Sequence, residues 1–385
     1  MAALRGGRTD DPGPSIDLAY QGLPAVAARV FRLLSVHPGP AAPTAAVAAM
    51  TGLTFSDTHS ILASLSRVRL IEAAPGSTER WRMRGRERAA ARRLSDAHAA
   101  IDGRPQAIAR LLSYYQAATE AADGYLRGLP PIPVQQEFTD RDGALGWLDA
   151  ERDSLVAAAR VALDTGLDQA AKSLPLLMSY YLNFRGLCDD LLAVTAIGLD
   201  AARRLGDRAA EGESLNNKGT ALIGLKRYDE ALTAYEEAAA IVREAGDHQA
   251  QGELAANLGV ALSGLRRYEE ALTAYQAASA IFREARDRHG EGTALNNIGT
   301  VRHALGQYDE ARAAYQEAVA VFRQTGDRHS LATALGNLAN VFRSLGRSDE
   351  AAETYQEAAR FFGETGDDSS ELAALGSVIA ARAAT

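Results

Sequence analysis

Cysteine occurs once in the 385 residues, at Cys188. An intramolecular disulfide is therefore excluded, and a reducing compartment is expected. Long apolar runs are also missing. No window approaches 18 uninterrupted apolar residues, and the opening "MAALRGGRTDDPGPS" has no hydrophobic signal core. The expectation is a cytoplasmic protein with no membrane span. Catalytic and nucleotide-binding signatures are absent too: no GxxxxGK[ST], nucleophile elbow, HExxH or CxxC occurs. The seven histidines show no metal-ligand spacing. His289 and His329 share a column, with His248 adjacent in register, and read as loop residues. No enzyme activity, cofactor or metal is expected.

Lysine is scarce, with Lys172, Lys218 and Lys226 the only three. Arginine in its place, together with abundant alanine, is a mark of GC-rich bacterial coding and says nothing about function. Aromatics make up 6%, but hydrophobic residues reach 47%, enough for a buried core built on alanine and hence on close-packed helices. The net charge of −8 is uneven. From Asp207 onward 18 basic residues face 27 acidic ones, or −9, which leaves +1 for the first 206. An acidic C-terminal region is a poor nucleic-acid binder.

That region repeats. "LNNKGTALIGLKRYDEALTAYEEA" (Leu215–Ala238) is followed by "LAANLGVALSGLRRYEEALTAYQAA" (Leu254–Ala278), so that Asn217 returns forty residues on as Asn257, then as Asn297 and Asn337. Gly206-Asp207, Gly246-Asp247, Arg286-Asp287, Gly326-Asp327 and Gly366-Asp367 mark one turn per repeat. Glycine just past a helix end takes the left-handed conformation, and the aspartate can cap the next helix. A second turn lies mid-repeat, in "GLKRYDEA" and its copies. Each unit is thus two helices of about four turns joined by short loops. Ala231, Ala271, Ala311 and Ala351 recur without exception, as do Ala238, Ala278, Ala318 and Ala358, with Tyr235, Tyr275, Tyr315 and Tyr355 between them. Small residues let the helices cross closely and the ring fills the wedge beside them.

The spacing of Gly219, Ala231, Tyr235 and Ala238 resembles the tetratricopeptide repeat (TPR). Its forty-residue period exceeds the usual thirty-four and is similar to the extended TPRs of spindle-orientation adaptors and kinesin light chains. The likeness covers Asp207 to about Gly366 and departs from the pattern at Ala339, which replaces the first-helix glycine. The expected fold is all-α, a right-handed TPR α-solenoid behind a small winged-helix domain and a helical linker. The expected boundaries are a flexible tail (1–20), the winged helix (21–95), the linker (96–166) and the array (167–385). Within the array a degenerate repeat (167–206) precedes repeats at 207–246, 247–286, 287–326 and 327–366, and a capping helix (369–382) closes it.

On a helical wheel Leu215, Gly219, Leu222 and Leu225 face the partner helix, while Glu213, Asn217, Thr220 and Gly224 fall opposite. The same stripe continues through Glu253, Asn257 and Val260, then Thr293, Asn297 and Thr300, then Thr333, Asn337, Asn340 and Ser344. The TPR resemblance implies that this face lines a concave groove and that its asparagines contact peptide ligands. A neutral amide both donates and accepts, which suits an extended main chain. Alternatively, each asparagine bonds the adjacent repeat and sets the superhelical pitch, and the two roles are compatible. Arg302, His303 and Arg343 make one end of the stripe basic, and Glu213 and Glu253 make the other acidic.

The first third has another order. Helices are expected at Pro24–Ser35, Thr44–Thr51 and Phe55–Arg67, with strands at Leu70–Ala74 and Arg80–Met83, which together make a winged helix. "LAYQGLPAVAARVFRLLSVHPGP" resembles the segment after the nucleotide-binding core of bacterial NB-ARC–TPR signalling ATPases of the antibiotic-regulator type. "FTDRDGALGWLDAERDSLVAAARVA" (Phe138–Ala162) resembles their helical linker. The chain thus looks like the C-terminal half of such a protein. It reads Arg84-Gly85 where that family carries a His-Asp pair whose histidine senses the nucleotide, so ATP binding is not carried over.

Arg80, Arg82, Arg84, Arg86, Arg88, Arg92 and Arg93 form a basic stretch that reads as a solvated or partner-facing helix or, alternatively, as a set of phosphate contacts. The would-be recognition helix "FSDTHSILASLSR", however, offers few base-reading side chains and carries Asp57. The reading is a non-catalytic adaptor or regulator that holds a protein or peptide in its TPR groove. The alternatives are a DNA-binding transcription regulator with TPRs as sensor, and an accessory subunit acting in trans on a separate NB-ARC-type ATPase. Neither the oligomeric state nor the ligand can be read from the sequence.

Overall fold

The computed structural model describes residues 14–130 and 138–382. Two compact units divide the chain at Asp207 and Arg208.

The first unit starts with α1 (Pro14–Gln21) and α2 (Ala25–Leu34). Residues 14–20, expected within a flexible tail, are helical instead. The Tyr20 hydroxyl accepts from Arg32 at 2.5 Å, and its ring lies 5.9 Å from that of Phe31. Then come β1 (Ala42–Pro43), α3 (Thr44–Thr51), α4 (Phe55–Arg67), β2 (Glu72–Ala73) and β3 (Arg80–Arg82). The helices stand where the sequence placed them. The two expected strands are shorter, and β1 makes a third, because Ala42 pairs with Trp81 while Ala73 flanks Trp81 from the other side. The sheet is antiparallel in the order β1-β3-β2. Trp81 anchors it, donating from Nε1 to Thr44 Oγ1 at 2.9 Å. The remaining elements are α5 (Gly85–Ala97), α6 (Ala99–Asp102), α7 (Arg104–Leu126), α8 (Arg141–Asp164), α9 (Asp168–Phe184) and α10 (Cys188–Leu205). The last two pack against each other as a helix pair.

Two buried polar clusters fasten α2 and β3 to the helices that follow. Arg32 makes a two-pronged ion pair with Asp102, at 2.7 and 2.6 Å, the planar fit that makes Arg–carboxylate pairs strong. Asp102 ends α6, so this pair ties α6 to α2. In the second cluster His37 Nε2 lies 2.8 Å from the Tyr115 hydroxyl, which donates to Glu151 Oε2 at 3.0 Å, while Arg80 pairs with Glu151 Oε1. Since the tyrosine proton goes to Glu151, His37 must donate from Nε2. Its Nδ1 accepts the Gly39 N–H at 3.2 Å, so the imidazole is neutral.

Burial, aided by the charges of Arg88 and Arg80, pushes the His37 pKa down from 6.5 to about 3. Between those two pH values the unfolded chain binds a proton that the folded chain refuses. The resulting stability is therefore present above pH 6.5 and lost as pH falls. By pH 5 the loss is about 2 kcal/mol. Burial pushes the Glu151 carboxyl up against the downward pull of Arg80, an opposing effect that a His37 variant shares. Urea midpoints of wild type and His37→Gln compared from pH 7 to pH 5 should therefore diverge, with the wild type falling faster. Parallel pH profiles would contradict a buried neutral His37.

The second unit holds four helix pairs: α11 (Arg208–Gly224) with α12 (Tyr228–Ala245), α13 (His248–Gly264) with α14 (Tyr268–Glu284), α15 (Arg288–Ala304) with α16 (Tyr308–Thr325), and α17 (Arg328–Ser344) with α18 (Ser348–Thr365). A single helix, α19 (Asp368–Arg382), follows. The capping pattern is as the sequence implies. Asp247, Asp287, Asp327 and Asp367 each accept the backbone N–H three residues on, at 2.9–3.1 Å. Arg286 takes the left-handed conformation at φ 58° where the other repeats place glycine. His248, His289 and His329 are not loop residues. They occupy the first turns of α13, α15 and α17, because the aspartate before each turn already starts the helix. Among the described residues no helix is long and apolar enough to cross a membrane.

Candidate ligand groove on the first helices

Neighbouring first helices of the second unit touch, α11 with α13, α13 with α15 and α15 with α17, and no comparable contact joins one second helix to the next. The first helices therefore occupy the tighter, inner side of the stack. Glycine sets how closely each lies on its second helix. A Cβ on Gly219, Gly259 or Gly299 would stand within 2.8 Å of the ring of Tyr235, Tyr275 or Tyr315. All four tyrosine side chains of the series are buried. Farther along, the Phe282 ring fills the space over Gly252 of its own repeat and Gly290 of the next.

The asparagine column is bonded between repeats. Asn257 Nδ2 donates to Asn216 Oδ1 at 2.9 Å, and Asn337 Nδ2 donates to Asn296 Oδ1 at 3.1 Å. Each bond uses one of the amide's two N–H donors. Asn216 and Asn296 were not singled out from the sequence, although their signal is there. The doublets Asn216-Asn217 and Asn296-Asn297 alternate with Ala256-Asn257 and Gly336-Asn337, a period of two repeats inside the period of one. Ala256 stands in the place of Asn216 and Asn296, so Asn297 has no matching acceptor in the repeat before it. Asn217 is half-buried on α11.

Thr220 and Thr300 turn farther toward the second helix than the wheel implies. Their hydroxyls meet those of Tyr235 and Tyr315 at 3.3 and 3.0 Å. Asn340 does the same in the fourth repeat, its Oδ1 accepting from the Tyr355 hydroxyl at 2.5 Å and from Arg343 at 3.0 Å. The hydroxyls of Tyr235, Tyr315 and Tyr355 thereby meet polar side chains of the first helices, whereas Val260 holds that column in the Tyr275 repeat. Burial pushes the hydroxyls of Tyr235 and Tyr275 up to about 12, so they stay protonated donors at neutral pH.

The remaining stripe residues bond mainly to neutral side chains. Arg302 donates to Gln307 and Arg343 to Asn340, both neutral partners. His303 Nε2 lies 3.0 Å from Ser344 Oγ, and its ring packs 5.3 Å from that of Tyr308. Glu253 accepts from Gln249 at 3.2 Å, and Glu213 is exposed on α11.

In the first unit the basic stretch is largely spent on internal contacts. Arg80 pairs with Glu151, Arg82 and Arg84 share Glu72 at 2.6 Å each, and Arg88 donates to the carbonyls of His37 and Gly39. Arg86 is exposed on α5. Among the described residues no group of three or more His, Cys, Asp or Glu side chains is placed to hold a metal ion.

The geometry defines an all-α TPR solenoid. Residues 200–284 and 290–364 match the tetratricopeptide repeat family. The chain is similar to the regulatory protein AfsR of Streptomyces coelicolor, 30% identical over 240 residues that make up 60% of this chain and 24% of that protein. The AfsR of Streptomyces griseus is 33% identical over 172 residues, 42% of this chain and 17% of its own. The chain therefore spans a quarter or less of the length of these curated relatives. Among solved structures, a Signal Transduction ATPase with Numerous Domains protein with a tetratricopeptide repeat sensor, from Pyrococcus horikoshii, aligns with a TM-score of 0.49 at 16% identity, over 96% of this chain and 56% of that one.

Proposed function

We propose that the protein is a non-catalytic regulator in bacterial signalling or transcriptional control, and that it holds an extended peptide segment along the inner face of its TPR array. The carrying observation is that face itself: amides at forty-residue intervals, fixed in pairs by side-chain bonds, beside tyrosine hydroxyls and short neighbours. Asn257 and Asn337 each keep a second N–H donor for a peptide carbonyl. Fixing an amide beforehand reduces the ordering cost of binding. Arg302 and Arg343, bonded only to neutral groups, favour a ligand that is acidic at that end. Similarity to the AfsR regulators supports the regulatory setting.

The three helices and three-stranded sheet of residues 25–82 have the element order of a winged helix. With Arg80, Arg82, Arg84 and Arg88 engaged internally, we read this module as regulatory, with DNA binding the weaker alternative.

An arrayed library of extended peptides, probed with wild type and with a variant carrying alanine at Asn217, Asn257, Asn297 and Asn337, tests the groove. Four lost hydrogen bonds at about 0.5–1.5 kcal/mol each predict at least about a tenfold weaker capture. Asn297→Ala alone separates the two roles of the column, since Ala256 leaves it no inter-repeat acceptor. It should weaken capture without moving the melting temperature. Equal capture by wild type and the fourfold variant would remove the groove reading.

A further inference from the structure

α19 packs one face on α18. Ala374 lies with Ala358, Ala359 and Phe362, while Val378 and Ala381 lie with Ala351, Ala352 and Tyr355. Its other face is open: Leu372 and Ile379 are 70% and 72% exposed and Leu375 41%. Forty residues earlier the same columns hold Ala332, Leu335 and Ala339, all buried in the packing of α17 against α18. From 372 to 381, "LAALGSVIAA", no charge interrupts the helix. The one hydroxyl within this stretch, Ser377, donates to the Ala373 carbonyl at 3.0 Å. A helix apolar on both faces is normally covered on both. Another TPR second helix does not fit here. Ile379 fills the column that must be glycine or alanine to admit the tyrosine ring.

We propose that this face is a two-fold interface on which α19 of a second copy packs antiparallel. The sequence of the face is self-complementary under such an axis. With the axis between 375 and 376, Leu372 meets the partner's Ile379. Leu375 then meets the partner's Gly376, where a Cβ would find no atom within 4 Å. Small residues at Ala373, Gly376 and Ala380 permit a close helix crossing. The same register brings Asp368 of the acidic first turn beside the partner's Arg382 and sets the two helix dipoles antiparallel. Each contact occurs twice, as an isologous interface requires. A single helix pair falls short of a full-sized interface, so the dimer is a concentration-dependent one.

Light scattering on the full chain reads this directly. The mass should rise from 40.8 kDa toward twice that value as concentration increases, and Leu372→Glu/Ile379→Glu should remain a single chain throughout. A wild type that stays single at about 100 µM, where a complex of micromolar Kd would be largely formed, overturns the proposal. So does a folded double variant that dimerises like the wild type. If the double variant loses its helical signal, Leu375→Cys in a Cys188→Ser background decides. A covalent dimer on mild oxidation supports the antiparallel contact, and its absence overturns it.

Discussion

Glu151→Ala is expected to lower the unfolding free energy of the first unit by about 3–5 kcal/mol, the cost of stranding one member of a buried ion pair. Glu151 is fully buried and satisfies two donors from different elements, Arg80 of β3 and Tyr115 of α7. Its removal leaves a guanidinium charge and a tyrosine hydroxyl without their acceptor, and the hydroxyl in turn positions His37. Glu151→Gln keeps the volume and an acceptor and should cost less than the alanine variant. The readout is selective, because both tryptophans, Trp81 and Trp147, lie in the first unit. Denaturant unfolding followed by tryptophan fluorescence therefore reports that unit alone. A loss below about 1 kcal/mol, the scale of an exposed ion pair, would mean that water reaches the cluster.

In the second unit, Tyr315→Ala is expected to cost about 3–5 kcal/mol, as for other large buried rings cut to a methyl group. The ring fills the wedge over Gly299, and glycine has no side chain with which to close the gap. Tyr315→Phe removes only the hydroxyl bond to Thr300 and should cost about 0.5–1.5 kcal/mol. The pair of variants thus separates packing from hydrogen bonding. Because a repeat is held by its neighbours, amide exchange in the alanine variant should quicken in α13 and α17 as well as in α15 and α16. Faster exchange confined to α15 and α16 would contradict that coupling.

The aspartate caps and the tyrosine wedge were legible in the sequence. A capping aspartate acts on a backbone group three residues away, and a forty-residue period marks equivalent places without coordinates. In the first third α2, α3 and α4 were legible from their apolar periodicity, whereas α1 was read as part of a flexible tail. The strands there were less legible, because β1 is two residues long and exists only through its pairing with β3.

The stripe was legible as a set of columns but not as a set of bonds. The wheel put Thr220 and Thr300 in the open, whereas their hydroxyls reach the tyrosines of the second helices. In the first unit the sequence showed a row of arginines but not that Arg80, Arg82 and Arg84 pair with Glu151 and Glu72.

By itself, then, the sequence determined the repeat helices, their capping aspartates, their period and the residues that recur on each face, because these follow from interactions within a few residues along the chain. Only the tertiary structure decided that Asn257 bonds Asn216, forty-one residues away, that Asn337 bonds Asn296, and that Arg80 is committed to Glu151. A side-chain hydrogen bond needs its two atoms within about 3 Å. Whether two distant columns come that close is set by how neighbouring helices pack, which no single helix encodes.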